Sequence, residues 1–200
     1  ILMDPHSPHA LITRKLSLYV QGLEKDGHEL GERQIPMARL LAVGETDAKA
    51  EELYEKHIKY FYNKSLNTPP YFFFAPGHVD YQSLVNTQKR FGGDVFGKLM
   101  EEQKNWKFKD YVENQWVIGG SPQSVADQLE GAMRKLNVGT LMTLLHIGSM
   151  PHELTKKNIA LFAKEVLPKI RHIWDDEGWE NDWWPERLRG QQHQTATAAG

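Results

Sequence analysis

The run Pro36-Met37-Ala38-Arg39-Leu40-Leu41-Ala42-Val43 is almost uninterrupted in apolar character, and Gly44-Glu45-Thr46 stands directly behind it. A strand covered on both faces reads this way, whereas a half-exposed strand alternates. Gly44 and Glu45 end the strand. Thr46 is a good N-cap for a helix reaching about Lys64, with Ala50, Leu53, His57, Ile58 and Phe61 on one stripe. The same strand, short loop and helix recur. Ile1-Leu2-Met3 stops at the proline-bearing turn 4–8, and a helix follows over 9–26, with Ile12, Leu16, Tyr19, Val20 and Leu23 at helical spacing and Gly27 as its stop. A strand at 116–120 leads to Ser121 as N-cap, Pro122 at the first helical position and Val125, Leu129, Met133 and Leu136, closed by Asn137-Val138-Gly139. Residues 140–147 read as the clearest buried strand. After Gly148-Ser149 comes a helix over 151–172, with Leu154, Ile159, Phe162, Ala163, Val166 and Ile170 as its stripe.

Strands alternating with helices through right-handed crossovers build a parallel sheet, so the class is α/β. So few strands cannot close a barrel, and they leave open edges. The expectation is the C-terminal portion of a (β/α)8 TIM barrel, with an insertion before the last strand and the other strands upstream. Ile1 stands where a strand is already under way, and no signal-peptide pattern surrounds it, so the chain is expected to continue upstream. Residues 1–173 form the barrel part. Within it, about 65–115 is an insertion marked by Asn67-Thr68-Pro69-Pro70, the aromatics Tyr71-Phe72-Phe73-Phe74 and Gly92-Gly93, holding one or two short helices. Residues 174–188 are a Trp-rich acidic extension expected to fold back with its rings buried, and 189–200 a small, polar tail expected to be disordered.

With 24 basic against 26 acidic side chains and no basic stripe, nothing favours nucleic acid or an anionic membrane surface as partner. The absence of cysteine excludes a disulfide framework, a thiolate metal site and a cysteine nucleophile, and fits a cytoplasmic location. No apolar run is long enough to span a bilayer.

Three stretches resemble the bacterial luciferase-like, flavin-dependent monooxygenase family. The first is Ile1-Leu2-Met3-Asp4-Pro5-His6-Ser7-Pro8-His9, with Arg14-Lys15 and Leu18-Tyr19 after it, similar to the family's sixth strand and its helix. The second, Met37 onward through Val43-Gly44-Glu45-Thr46-Asp47-Ala48-Lys49-Ala50, is similar to its seventh strand and helix start. The third and most specific joins Gly119-Gly120-Ser121-Pro122-Gln123-Ser124-Val125-Ala126, then Leu144-Leu145-His146-Ile147-Gly148, then Leu161-Phe162-Ala163-Lys164-Glu165-Val166-Leu167-Pro168. The resemblance implies an enzyme that binds reduced FMN at the C-terminal mouth of the barrel, activates O2 on it and oxidises a small, largely apolar organic substrate. It further implies a separate flavin reductase and a homo-oligomer. The alternatives are a hydride-transfer oxidoreductase using the deazaflavin F420, since fold does not fix cofactor, and a non-catalytic flavin-binding subunit.

Barrel sites gather at the C-terminal strand ends, which here are 4–6, 44–45 and 146–149. His146 interrupts an apolar strand, where a polar group needs a partner. It is either a satisfied core histidine or the catalytic group, because histidine exchanges protons near neutrality. Asp4, His6, Gly148 and Ser149 are the cofactor-binding candidates. The family has an aromatic residue where Asp4 stands, and Asp4 also suits a helix cap. Asp4, His6 and His9 offer nitrogen and oxygen ligands close together, but two prolines stiffen the turn and no second ligand motif supports a metal. Gly148-Ser149 serves equally as helix punctuation, and Tyr71 to Phe74 equally as packing or as a lid over an apolar substrate.

Overall fold

The strand β1 (Met37–Val43) is buried along its whole length, as its unbroken apolar character requires. It is the centre of a parallel sheet in the order β2-β1-β3, with β2 at Ile118–Gly120 and β3 at Leu141–Leu144. The two neighbours take different halves of the strand. Leu41, Ala42 and Val43 lie opposite Ile118, Gly119 and Gly120, and Met37 through Leu40 lie opposite Leu141 through Leu144. Met3 adds an isolated parallel bridge to Met37, with hydrogen bonds from Met3 N to Pro36 O and from Ala38 N to Met3 O, both 3.1 Å. The structure is a computed structural model and describes residues 3, 5, 7–31, 33–66 and 103–178.

Helices cover both faces. Met37, Leu41 and Val43 share a core with Ile12 of α1 (His9–Lys25), with Val125, Leu129 and Met133 of α4 (Pro122–Leu136) and with Phe162, Val166 and Ile170 near the C-terminus. Leu40 and Ala42 share a second core with Ala50, Tyr54 and Ile58 of α2 (Asp47–Tyr60) and Phe108 and Tyr111 of α3 (Phe108–Glu113). This is an open parallel α/β sheet, consistent with part of a (β/α)8 barrel; the described residues do not close one. The expected caps are present. Thr46 accepts a hydrogen bond from Lys49 N and Ser121 one from Ser124 N, while Asn137, at φ +52°, ends α4 in the left-handed conformation.

Two expectations need correction. Residues 140–147 are not a buried strand. Only Leu141–Leu144 are extended, and Met142 and Leu144 are 43% and 39% exposed. The side chains of β3 alternate between partly buried and exposed, so one face of the strand is packed and the other meets solvent. The last helix is also interrupted: α5 (His152–Leu161) passes through a π turn, Phe162–Val166, into α6 (Leu167–Ile170). Ile159 and Ala163 face outward, and the inward stripe is Asn158, Phe162, Val166 and Ile170. Steps of four residues drift off one face of a helix with 3.6 residues per turn, and the wider π turn takes up the drift.

Asn158 is fully buried at the point where β1 and β3 part. Its Oδ1 accepts from Val43 N, and its Nδ2 donates to Leu41 O and Leu145 O, each at 2.8 Å. One side chain therefore satisfies backbone groups that the short β3 leaves without a ladder partner.

The expected excursion at 65–115 begins with a π turn on α2, Phe61–Ser65, and ends in α3; Tyr71 to Phe74 lie outside the described residues. Both described ends are fastened together. Tyr62 stacks on Tyr111 at 5.1 Å and meets Trp116 edge-on at 5.4 Å, its hydroxyl donates to Trp116 O, and Phe108 N donates to Glu55. At the other end of the chain Trp174 is buried, as expected of the extension. Its Nε1 donates to Val138 O at 2.8 Å, and the guanidinium groups of Arg33 and Arg134 lie 4.4 and 5.3 Å from its ring centre. Arg33 pairs with Glu177, and Arg134 with Glu130, Asp176 and Glu177. Trp179, Trp183 and Trp184 lie outside the described residues.

Candidate functional site

Because the strands are parallel, their C-terminal ends share one rim: Val43-Gly44, Gly120-Ser121 and the segment 145–150 after β3. Short polar links hold it. Gly44 N donates to Gly120 O at 2.9 Å, Ser121 N donates to the Asp47 carboxylate at 2.5 Å, and Lys157 pairs with Glu45 at 2.7 Å. The Ser121 N–H and the Ser124 hydroxyl hold Asp47 below the usual carboxylate range, and the Lys157 hydrogen bond does the same for Glu45.

The rim places His146, Gly148 and Ser149 beside α2. His146 is exposed, with Nε2 3.2 Å from Met150 O, so it is not a core histidine. Gly148 has φ +54°, and a Cβ there would lie 2.4 Å from His57 O, so only glycine lets this turn approach α2 so closely. The Ser149 hydroxyl lies 2.9 Å from Nδ1 of His57, a buried residue of α2 whose Nε2 has no hydrogen-bond partner among the described residues. Burial, and then the charge of Lys56, lower the His57 pKa, and a hydrogen bond with the Ser149 backbone offsets part of this. The structure thus joins Ser149 to a histidine that the sequence reading placed only on a helix stripe. Asp4 and His6 lie outside the described residues. Among the described residues no group of three His, Asp or Glu could hold a metal ion, and no helix is long and apolar enough to cross a membrane.

A second polar locus lies beside the middle of β1. A cavity of about 260 Å³ is lined by His9, Arg39, Gln115, Ile118, Gln128 and Ala132, among others. Arg39 and His9 are 2% and 4% exposed, and Arg39 Nη1 donates to Ser7 O at 2.9 Å. The sequence carried one signal of this site: a guanidinium in the middle of an otherwise apolar strand must find polar company inside the fold.

No family model and no curated protein matches the chain. Among solved structures it is similar to the monooxygenase RslO1 from Streptomyces bottropensis, with 18% identity and a TM-score of 0.47 over 84% of this chain and 40% of that one. The coenzyme F420-dependent tetrahydromethanopterin reductase from Methanopyrus kandleri gives 21% identity and a TM-score of 0.47, over 84% and 44% of the two chains. The oxygenating constituent of 3,6-diketocamphane monooxygenase from Pseudomonas putida, a type II Baeyer-Villiger enzyme in complex with FMN, gives 20% identity and a TM-score of 0.38 over 78% and 39%. The chain thus spans less than half the length of these structures.

Proposed function

We propose that the chain is part of a luciferase-like oxidoreductase that works with a flavin, and that the rim carrying His146 and Ser149 faces the cofactor. One observation carries this reading. The stretches that resemble the family fall on β1 with α2, on β2 with α4, and on the segment after β3 with α5 and α6, and each strand opens on the same rim. In α/β enzymes of this build that rim is where ligands bind.

The described rim fits the polar edge of a flavin ring. His146 and Ser149 are exposed there, each with a group able to hydrogen-bond. It does not supply a phosphate cradle, since Lys157 is already paired with Glu45 and Lys49 with Glu52. Reduced FMN would supply electrons to O2 for oxidation of a small, largely apolar substrate, and a separate reductase would regenerate it. The work of these residues is to orient the ring and keep water from it. A homo-oligomer and a cytoplasmic location belong to the same reading.

The test is fluorescence titration of FMN and of the deazaflavin F420 with the 200-residue chain and with a form extended upstream. FMN quenching by the extended form is the expected result. Binding of F420 alone would replace the monooxygenase with a hydride-transfer enzyme, and binding of neither would overturn the reading. His146→Ala should weaken binding by about tenfold, the cost of one hydrogen bond; unchanged binding would remove His146 from the site.

A further inference from the structure

The cavity beside β1 is separate from the rim and is built differently. Arg39 comes from the centre of the sheet, His9 opens α1, and both are almost wholly buried. His9 Nε2 has no hydrogen-bond partner among the described residues, although its side chain lines the cavity. Gln128 is a fixed part of the wall. Its Nε2 donates to Gly119 O and Ser124 O, and its Oε1 accepts from Gly119 N. Val112, Ile118 and Ala132 give the cavity an apolar side.

We propose that this cavity binds a small organic carboxylate, with the charged group beside Arg39 and His9 Nε2 and the carbon skeleton against Val112, Ile118 and Ala132. Three features select this class. The volume of about 260 Å³ falls below the roughly 300–1,000 Å³ of pockets that take drug-sized ligands. The apolar wall would be wasted on an inorganic ion. Arg39 is the one guanidinium lining the cavity and Glu113 also lines it, so a monoanion is favoured over a dianion. Arg39 keeps its bond to Ser7 O throughout.

The state of the imidazole adds a signature. Burial, then Arg39, then Lys135 push the His9 pKa below its ordinary value, and a hydrogen bond with Gln115 offsets part of this. A carboxylate placed against the ring opposes that shift, so binding takes up a proton and affinity rises as pH falls. Among the described residues, the charged groups facing the ring are Arg39 on β1, Lys135 on α4 and Glu113 at the end of α3.

The experiment is isothermal titration of the 200-residue chain with benzoate, its neutral analogue benzamide, and inorganic phosphate. Benzoate should bind about tenfold or more tighter than benzamide, because its bonds are charge-assisted. It should also bind more tightly at about pH 6 than at about pH 8, where histidine changes charge. Ala132→Leu fills the apolar side and should lose benzoate binding with an unchanged circular dichroism spectrum, and His9→Gln should abolish the pH dependence. Benzamide binding as tightly as benzoate, phosphate binding more tightly than benzoate, no benzoate binding, or full binding by Ala132→Leu would each overturn the proposal. Should His9→Gln fail to fold, the benzoate-benzamide comparison and Ala132→Leu still decide. The flavin reading is independent: benzoate binding by the 200-residue chain, with neither FMN nor F420 bound by the extended form, would sustain one and sink the other.

Discussion

Replacing Asn158 with leucine keeps the volume of the side chain and removes three hydrogen bonds from the junction of β1 and β3. Val43 N–H and Leu41 C=O are interior and would be left unpaired; Leu145 is only partly buried and can turn to water. An unsatisfied buried backbone group costs about 1–3 kcal/mol, so two of them cost about 2–6 kcal/mol. Burying the leucine methyl groups returns about 1–2 kcal/mol. The expected net loss is about 3 kcal/mol, a large part of the roughly 5–15 kcal/mol that stabilises a typical domain. Urea denaturation followed by circular dichroism measures it directly, and a fall in melting temperature of about 6–12 °C should accompany it. Asn158→Asp separates hydrogen bonding from packing. Its carboxyl can still accept from Val43 N, but it presents a second oxygen to the carbonyls of Leu41 and Leu145. That repulsion raises the folded-state pKa, so the folded state binds the proton more tightly and the variant loses stability as pH rises. A loss below about 0.5 kcal/mol for Asn158→Leu, the range of ordinary surface substitutions, would refute the claim that Asn158 completes the sheet.

Two further outcomes are expected. Gly148→Ala forces a Cβ into the left-handed region and to within 2.4 Å of His57 O, so thermal melting should show a loss of about 2 kcal/mol or more; an unchanged melting temperature would mean that this turn does not pack on α2. His57 has a folded-state pKa below its ordinary 6.5, so the unfolded chain binds more protons just below that pH and stability falls as pH drops through this window. His57→Gln should make the decline shallower in pH-dependent urea titrations, with His9, shifted in the same direction, leaving a residual slope.

The sheet was legible in the sequence wherever burial followed from local composition. The unbroken run at Met37–Val43 gave the central strand, and Thr46, Ser121 and Asn137 marked helix ends because capping is a property of neighbouring residues. The failures lie where the third dimension decides. An apolar run does not tell whether both faces of a strand are covered, and on β3 one of them is not. A stripe drawn at 3.6 residues per turn has no place for a π turn, so it puts Ile159 inward and leaves out Asn158. The site was less legible still. His57 joins Ser149 across 92 positions of sequence, and His9 meets Arg39 only because Met3 pairs with Met37 and brings the start of α1 alongside β1.

The aromatic fastening of Tyr62, Tyr111 and Trp116 has an evolutionary consequence. It holds the two described ends of the excursion, near residues 66 and 103, at fixed points beside the sheet. With both ends anchored, the closure term for the chain between them grows slowly, by about 0.6 kcal/mol for each doubling of its length. The closure cost that a change of length between the anchors imposes on the sheet is therefore small. If length varies among lineages, the variation should concentrate there and stop sharply at Tyr62 and Tyr111, where β1, β2 and their helices stay under constraint.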